Sequence, residues 1–143
     1  MKKILSLLLI ITLAGLLQIS KAQSVIHLNT KEFKEQIWNF EKNKEWKYEG
    51  KKPAIIDLYA IWCPLCKKLS PILEKIQKEY GEKIQIYKVD VDKAPELAQL
   101  FEARSIPMMI FIPKNGKPFS VIGLRPQEQI EQIISEKLEV KKQ

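Results

Sequence analysis

The stretch Ala54-Ile55-Ile56-Asp57-Leu58-Tyr59-Ala60-Ile61-Trp62-Cys63-Pro64-Leu65-Cys66-Lys67 decides how this chain is read. An apolar run leads straight into the only two cysteines, which have two residues between them. The run, from Pro53 to Tyr59, reads as a buried strand at the centre of a sheet covered on both faces. A helix is predicted from Cys63 or Pro64 to about Tyr80, with Leu69, Ile72, Leu73 and Ile76 along one side. Pro71 should kink it, and Gly81 is a natural stop. Thiols at this spacing can close a disulfide within one helical turn, so they can exchange two electrons without large motion.

Working outward, Val25 to Leu28 is a short strand. Asn29 or Thr30 caps a helix expected to run to about Asn43, with Phe33, Ile37, Trp38 and Phe40 as its apolar positions. Glu45 to Lys52 is a polar and aromatic connection. Ile84 to Val91 is a second buried strand, and Ala94 to Phe101 a short helix with Pro95 in its first turn. Met108 to Ile112 is a strand, and Met108 and Met109 read as core residues. Asn115-Gly116 signals a two-residue hairpin to an antiparallel partner at Phe119 to Gly123. Pro126 to Leu138 is a closing amphipathic helix. The order β-α-β-α-β-α-β-β-α predicts an α/β domain: a mixed five-stranded sheet flanked by helices, its parallel part joined by crossovers and its edge antiparallel.

The first 22 residues stand apart. Lys2 and Lys3 precede an almost continuous apolar run from Ile4 to Leu17, and Ser20-Lys21-Ala22 offers small residues at a cleavage site. This pattern predicts a signal peptide cut after Ala22, followed by one domain over residues 23–143. The alternative is an uncleaved inner-membrane anchor through residues 4–17, for which the apolar core is short. The net charge is +7, and without Lys2, Lys3 and Lys21 there remain 21 basic and 17 acidic side chains, a net +4. The remaining lysines are scattered among glutamates, which speaks for a solvated surface and against nucleic-acid binding.

Two cysteines are too few for a disulfide scaffold, so the fold should stand with the thiols reduced or oxidised. His27 is the only histidine, which leaves zinc without a ligand set, and Lys67 stands where haem attachment would need histidine. An inert structural disulfide would add little stability across so short a loop. A strand-to-helix junction favours redox work instead. Unpaired N–H groups and the helix dipole stabilise a thiolate at a helix N-terminus. Cys63, at the cap, is therefore expected to be the exposed nucleophile, and Cys66, one turn in, the buried resolving thiol.

With Asp57 six residues before Cys63, and Pro71 eight after it, Trp62-Cys63-Pro64-Leu65-Cys66-Lys67 resembles the thioredoxin family. Arg104-Ser105-Ile106-Pro107 is similar to the family segment that ends in a cis-proline, and Ile122-Gly123 to its glycine-containing edge. The likeness runs from about Val25 to Leu138 and implies a thioredoxin fold. The long first helix and the Asn43-to-Pro53 connection, with Trp46 and Tyr48, resemble exported thioredoxin-like proteins of Bacteroidetes-type bacteria. The resemblance implies that Asp57 is a buried acid accepting a proton from Cys66 and that Lys88 is its partner. A solvent-facing carboxylate and a snorkelling lysine are the plainer alternatives. It further implies that Ile106, before a cis-Pro107, pairs its backbone with an extended substrate, that Trp62 covers the site rim, and that Gly123 admits substrate backbone. A trans, strand-opening Pro107 and an ordinary bulge at Gly123 are the alternatives there.

The family's usual Gly-Pro between the cysteines is replaced by Pro64-Leu65, which line the substrate face and tune the redox poise. Ile61 makes the rim more apolar, suiting an unfolded or hydrophobic client. The expected function is an exported, periplasmic disulfide reductase. A disulfide oxidase or isomerase, a cytochrome c maturation thioredoxin and a non-catalytic binding module are the competing readings. Protein disulfides are the expected substrates, a membrane electron-transfer protein the expected donor, and a monomer the expected state. No cofactor or metal is expected, and no glycine-rich nucleotide loop points to NADPH.

Overall fold

Alternation along the strands builds the domain. In the computed structural model, which describes residues 23–142, five strands form one sheet: β1 (Ile26–His27), β2 (Ala54–Tyr59), β3 (Gln85–Asp90), β4 (Met108–Ile112) and β5 (Phe119–Ile122). Their order is β1-β3-β2-β4-β5, with the β1–β3 and β3–β2 pairs parallel and the β2–β4 and β4–β5 pairs antiparallel. Successive side chains on a strand face opposite sides. Ala54, Ile56 and Leu58 accordingly pack with Val89, Met108, Ile110 and Ile112 against α1 (Thr30–Gln36) and α3 (Pro95–Leu100). Ile55 packs with Ile86, Met109 and Phe111 against α2 (Pro64–Tyr80) and α4 (Gln127–Lys137). The result is helices on both faces of a mixed sheet, the predicted fold, with β2 at its centre.

Asn29 starts α1 through a capping box: the Glu32 N–H donates to Asn29 Oδ1 and the Asn29 N–H to Glu32 Oε2, both 2.9 Å. The helix then ends at Gln36, well before the expected Asn43. At 3.6 residues per turn, continuation would carry Trp38 about 140° round from Phe33 and into solvent. The chain turns instead. The Trp38 N–H closes on the Phe33 carbonyl at 3.2 Å, and Asn39 Oδ1 accepts the Lys42 N–H. Trp38 thereby meets Trp46 edge-on at 5.2 Å between ring centres, and Tyr48 stacks on Trp46.

Three further boundaries differ from expectation. The first strand is only Ile26–His27, its pairing limited to Tyr87 and Lys88 of β3. Gly81, with φ +54°, ends α2 but opens a one-turn 3₁₀ helix, Gly81–Lys83, rather than leading straight into β3. The β4–β5 hairpin forms, but Phe111 pairs with Phe119 and the loop spans residues 113–118. Pro113 and Pro118 have no N–H for the ladder, so Asn115-Gly116 sits at the tip of a wider loop.

Candidate active site

The end of β2 and the start of α2 place the cysteines. Ala60 and Cys63 are joined by a Cys63 N–H to Ala60 carbonyl bond of 3.2 Å, a tight turn that reverses the chain into the helix. Cys63 is the N-cap residue with extended backbone, Pro64 occupies the first helical turn, and Cys66 lies one turn in. The two cysteines form a disulfide with their Cα atoms 5.3 Å apart, inside the usual range. The Cys66 N–H points at Cys63 Sγ from 3.2 Å. A sulfur at Cys63 thus receives a backbone donor even though Pro64 supplies none.

Cys63 is not exposed in this disulfide form. It is 4 % accessible, against 2 % for Cys66, so the expected contrast between an open and a buried thiol is absent. Tyr59, Val91 and Ile106 pack on the pair together with Ala60. Exposure belongs to the neighbours. Ile61, Trp62, Leu65 and Ile122 are all large apolar side chains open to solvent, and Pro64 is exposed beside them. The Trp62 indole is held by its Nε1–H to Asp92 Oδ2 at 2.8 Å, so it lies along the surface rather than in the core.

Arg104 to Pro107 approach from the other side. The Ile106–Pro107 peptide is cis, Pro107 is buried, and Ile106 touches the cysteine cluster. Gly123, at φ +89°, closes the far edge, its N–H donating to the Pro107 carbonyl at 2.8 Å. A side chain there would strain the backbone and press on Arg125. Ile106 thus joins the cis-proline segment to the disulfide, and Gly123 is tied to the cis-proline by a backbone bond.

A polar cluster lies on the sheet face under α2. Asp57 shares its sheet face with Ile55, and Lys88, its register partner on β3, shares that face with Ile86, so both look toward α2. Asp57 is fully buried, and neither carboxyl oxygen has a hydrogen bond. Lys88 Nζ lies 3.7 Å from Asp57 Oδ2, an ion-pair distance too long for a hydrogen bond. Burial pushes the Asp57 carboxyl from its ordinary 3.8 up to about 6, against the opposing pull of Lys88. Reasoning from sequence missed the groups that hold Lys88. Its ammonium donates to Ser70 Oγ at 2.7 Å and sits 4.4 Å from the centre of the Tyr59 ring, whose hydroxyl reaches His27 Nδ1 at 3.3 Å. Ser70 carried one usable signal: it stands four residues after Cys66, on the same side of the helix.

The sequence profile of the family described as Thioredoxin matches residues 24–136, nearly the whole described domain. The chain belongs to the thioredoxin family. It is 40 % identical over 111 residues to the thioredoxin of Borreliella burgdorferi, covering 78 % of this chain and 95 % of that protein. It is 35 % identical over 92 residues to the thioredoxin of Alicyclobacillus acidocaldarius, covering 64 % and 87 %. Among solved structures it resembles the Malassezia sympodialis thioredoxin, with a TM-score of 0.64 and 29 % identity over 80 % of this chain and 90 % of that one. A chloroplastic thioredoxin z shares the fold, with a TM-score of 0.67 at 23 % identity, over 79 % and 93 %. As a thioredoxin with a Cys63–Cys66 disulfide, the protein is a thiol–disulfide oxidoreductase acting on protein disulfides.

Proposed function

We propose that this thioredoxin is an exported reductase of protein disulfides, working outside the cytosol as a monomer and recharged by a membrane electron-transfer protein. The observation that carries the reductive direction is the buried Asp57, a carboxyl with raised proton affinity on the sheet face under α2. In the dithiol form the Cys63 thiolate attacks a client disulfide, forming a mixed disulfide and releasing one client thiolate. Cys66 then gives its proton to Asp57, through a water, and attacks Cys63 Sγ. That step closes the Cys63–Cys66 bond and releases the second client thiolate. Two electrons pass from the dithiol to the client, and the donor restores the dithiol.

Each remaining site residue has a part in this scheme. Lys88 moderates the Asp57 charge. Ile106 and Pro107 align an extended client beside Cys63, Gly123 leaves room for its backbone, and Trp62, Pro64 and Leu65 receive its apolar side chains. Export is supported by Lys2-Lys3, the apolar run Ile4–Leu17 and Ser20-Lys21-Ala22, which lie outside the described residues. The test has two arms. Fused to a reporter enzyme that matures only where disulfides form, the full chain should give activity, and the purified product should begin at Gln23. Without residues 1–22 the reporter should stay silent. In the second arm, the protein equilibrated against glutathione should be the more reducing partner and should reduce insulin. A strongly oxidising potential without insulin reduction overturns the reductase, and a silent full-length fusion overturns export.

A further inference from the structure

A hydrogen-bonded chain runs from Lys88 through Ser70 to Glu74 on the surface of α2, and it competes with Asp57 for the Lys88 ammonium. Lys88 Nζ donates to Ser70 Oγ at 2.7 Å, a full-strength bond, but stops 3.7 Å short of the Asp57 carboxyl. A serine hydroxyl offers one proton and two lone pairs. Here the proton is directed to Glu74 Oε1, 3.4 Å away on the next turn, which turns a lone pair toward Lys88. Ser70, Glu74 and Lys88 all line a groove of about 290 Å³ between α2 and the chain around β1. The ammonium is thus drawn toward the groove and away from the buried acid.

We infer that Ser70 is a positioning residue of this oxidoreductase: by anchoring the Lys88 ammonium on the groove side, it denies Asp57 a direct hydrogen bond and so keeps that carboxyl able to hold a proton. The inference rests on the reading of Asp57 as proton acceptor for Cys66. The physical step is simple. An ammonium bonded directly to a carboxylate favours its charged form far more than one held at ion-pair distance. Without the Ser70 hydroxyl, the nearest strong acceptor for Lys88 is Asp57 Oδ2, within a shift of about 1 Å of hydrogen-bond length. The other charged or titratable groups that share a groove with Lys88 are Tyr59 on β2, Asp90 on β3, Lys93 just after it, His27 on β1, Glu32 on α1, and Glu74 and Lys78 on α2. The β4 neighbour of Asp57 is the uncharged Met109. Replacing Ser70 leaves all of these residues in place but removes the hydroxyl that donates to Glu74, an effect the Lys88→Met background separates from that on Lys88.

The test follows the Asp57 carboxyl by carbon NMR as pH is varied in the oxidised protein, where Cys63 and Cys66 do not titrate. An Asp57→Asn spectrum identifies the resonance. Ser70→Ala should lower the midpoint by about half a pH unit or more, while Ser70→Thr, which keeps the hydroxyl, should leave it in place. Alanine is a strong helix former, so the variant retains α2. In a Lys88→Met background, Ser70→Ala should cause no further shift. An unchanged or raised midpoint in Ser70→Ala overturns the inference, as does a shift that persists without Lys88. Failure of the Asp57 proton role would appear elsewhere, as an unchanged pH–rate profile for Asp57→Asn in insulin reduction, so the two failures are distinguishable.

Discussion

Asp57 shows what one residue costs and does. Its carboxyl is buried without a hydrogen bond, and its affinity for protons is raised from an ordinary 3.8 to about 6. The folded protein therefore binds more protons than the unfolded chain between those values, and stability falls as pH rises through that window. The two-unit shift amounts to roughly 3 kcal/mol lost above pH 6. Asp57→Asn should accordingly raise the unfolding free energy at pH 7, read from denaturant melts, by up to that amount, with the gain vanishing near pH 4. The same substitution should slow disulfide exchange most near neutral pH. Cys63 and Cys66 divide by position: Cys66→Ser should accumulate mixed disulfides on Cys63, seen as protein adducts on non-reducing gels, whereas Cys63→Ser should trap almost none. The spacing of the thiols, and the asymmetry of cap against first turn, were legible in the sequence because both are local. The burial of Cys63 was not, since Ile106 and Val91 reach it from distant parts of the chain.

At the scale of elements, α2 is the pivot, because its N-terminus carries the chemistry and its C-terminal half fastens it to the sheet. Gln77 does the fastening. Fully buried, its Nε2 donates to the carbonyls of Gly81 and Ile84 at 3.1 and 3.2 Å, and its Oε1 accepts the Ile86 N–H at 2.6 Å. Gln77→Leu fills similar space but leaves these backbone groups unpaired, so it should destabilise the fold by about 2–4 kcal/mol in urea titration. Redox activity of the remaining folded protein should persist, since Gln77 lies three turns from the cysteines. Sequence periodicity caught α2 and its apolar stripe but gave Gln77 no role. The same reasoning overran α1, because Phe33, Ile37 and Phe40 keep helical spacing while Trp38 does not. Packing of Trp38 on Trp46 outweighed continued helix, a choice that depends on a side chain eight residues further on.

Across the whole molecule, two cores, one on each face of the sheet, carry the packing, and neither includes the cysteines. The disulfide closes a loop of only four residues, for which chain entropy supplies about 2 kcal/mol. A Cys63→Ser, Cys66→Ser double variant should therefore fold, with unfolding free energy reduced by no more than about that amount, as measured by thermal or denaturant melts. Loss of folding in that variant would make the disulfide structural rather than redox-active. The sequence by itself determined the family and the strand-to-helix seat of the cysteines, because spacing, capping and unbroken apolar runs act between neighbours in the chain. Only the tertiary structure decided the strand order, the rim of Ile61, Trp62, Leu65 and Ile122, and the sharing of Lys88 between Asp57 and Ser70. Those depend on which distant segments meet, and on fractions of an ångström between a bond and a near miss.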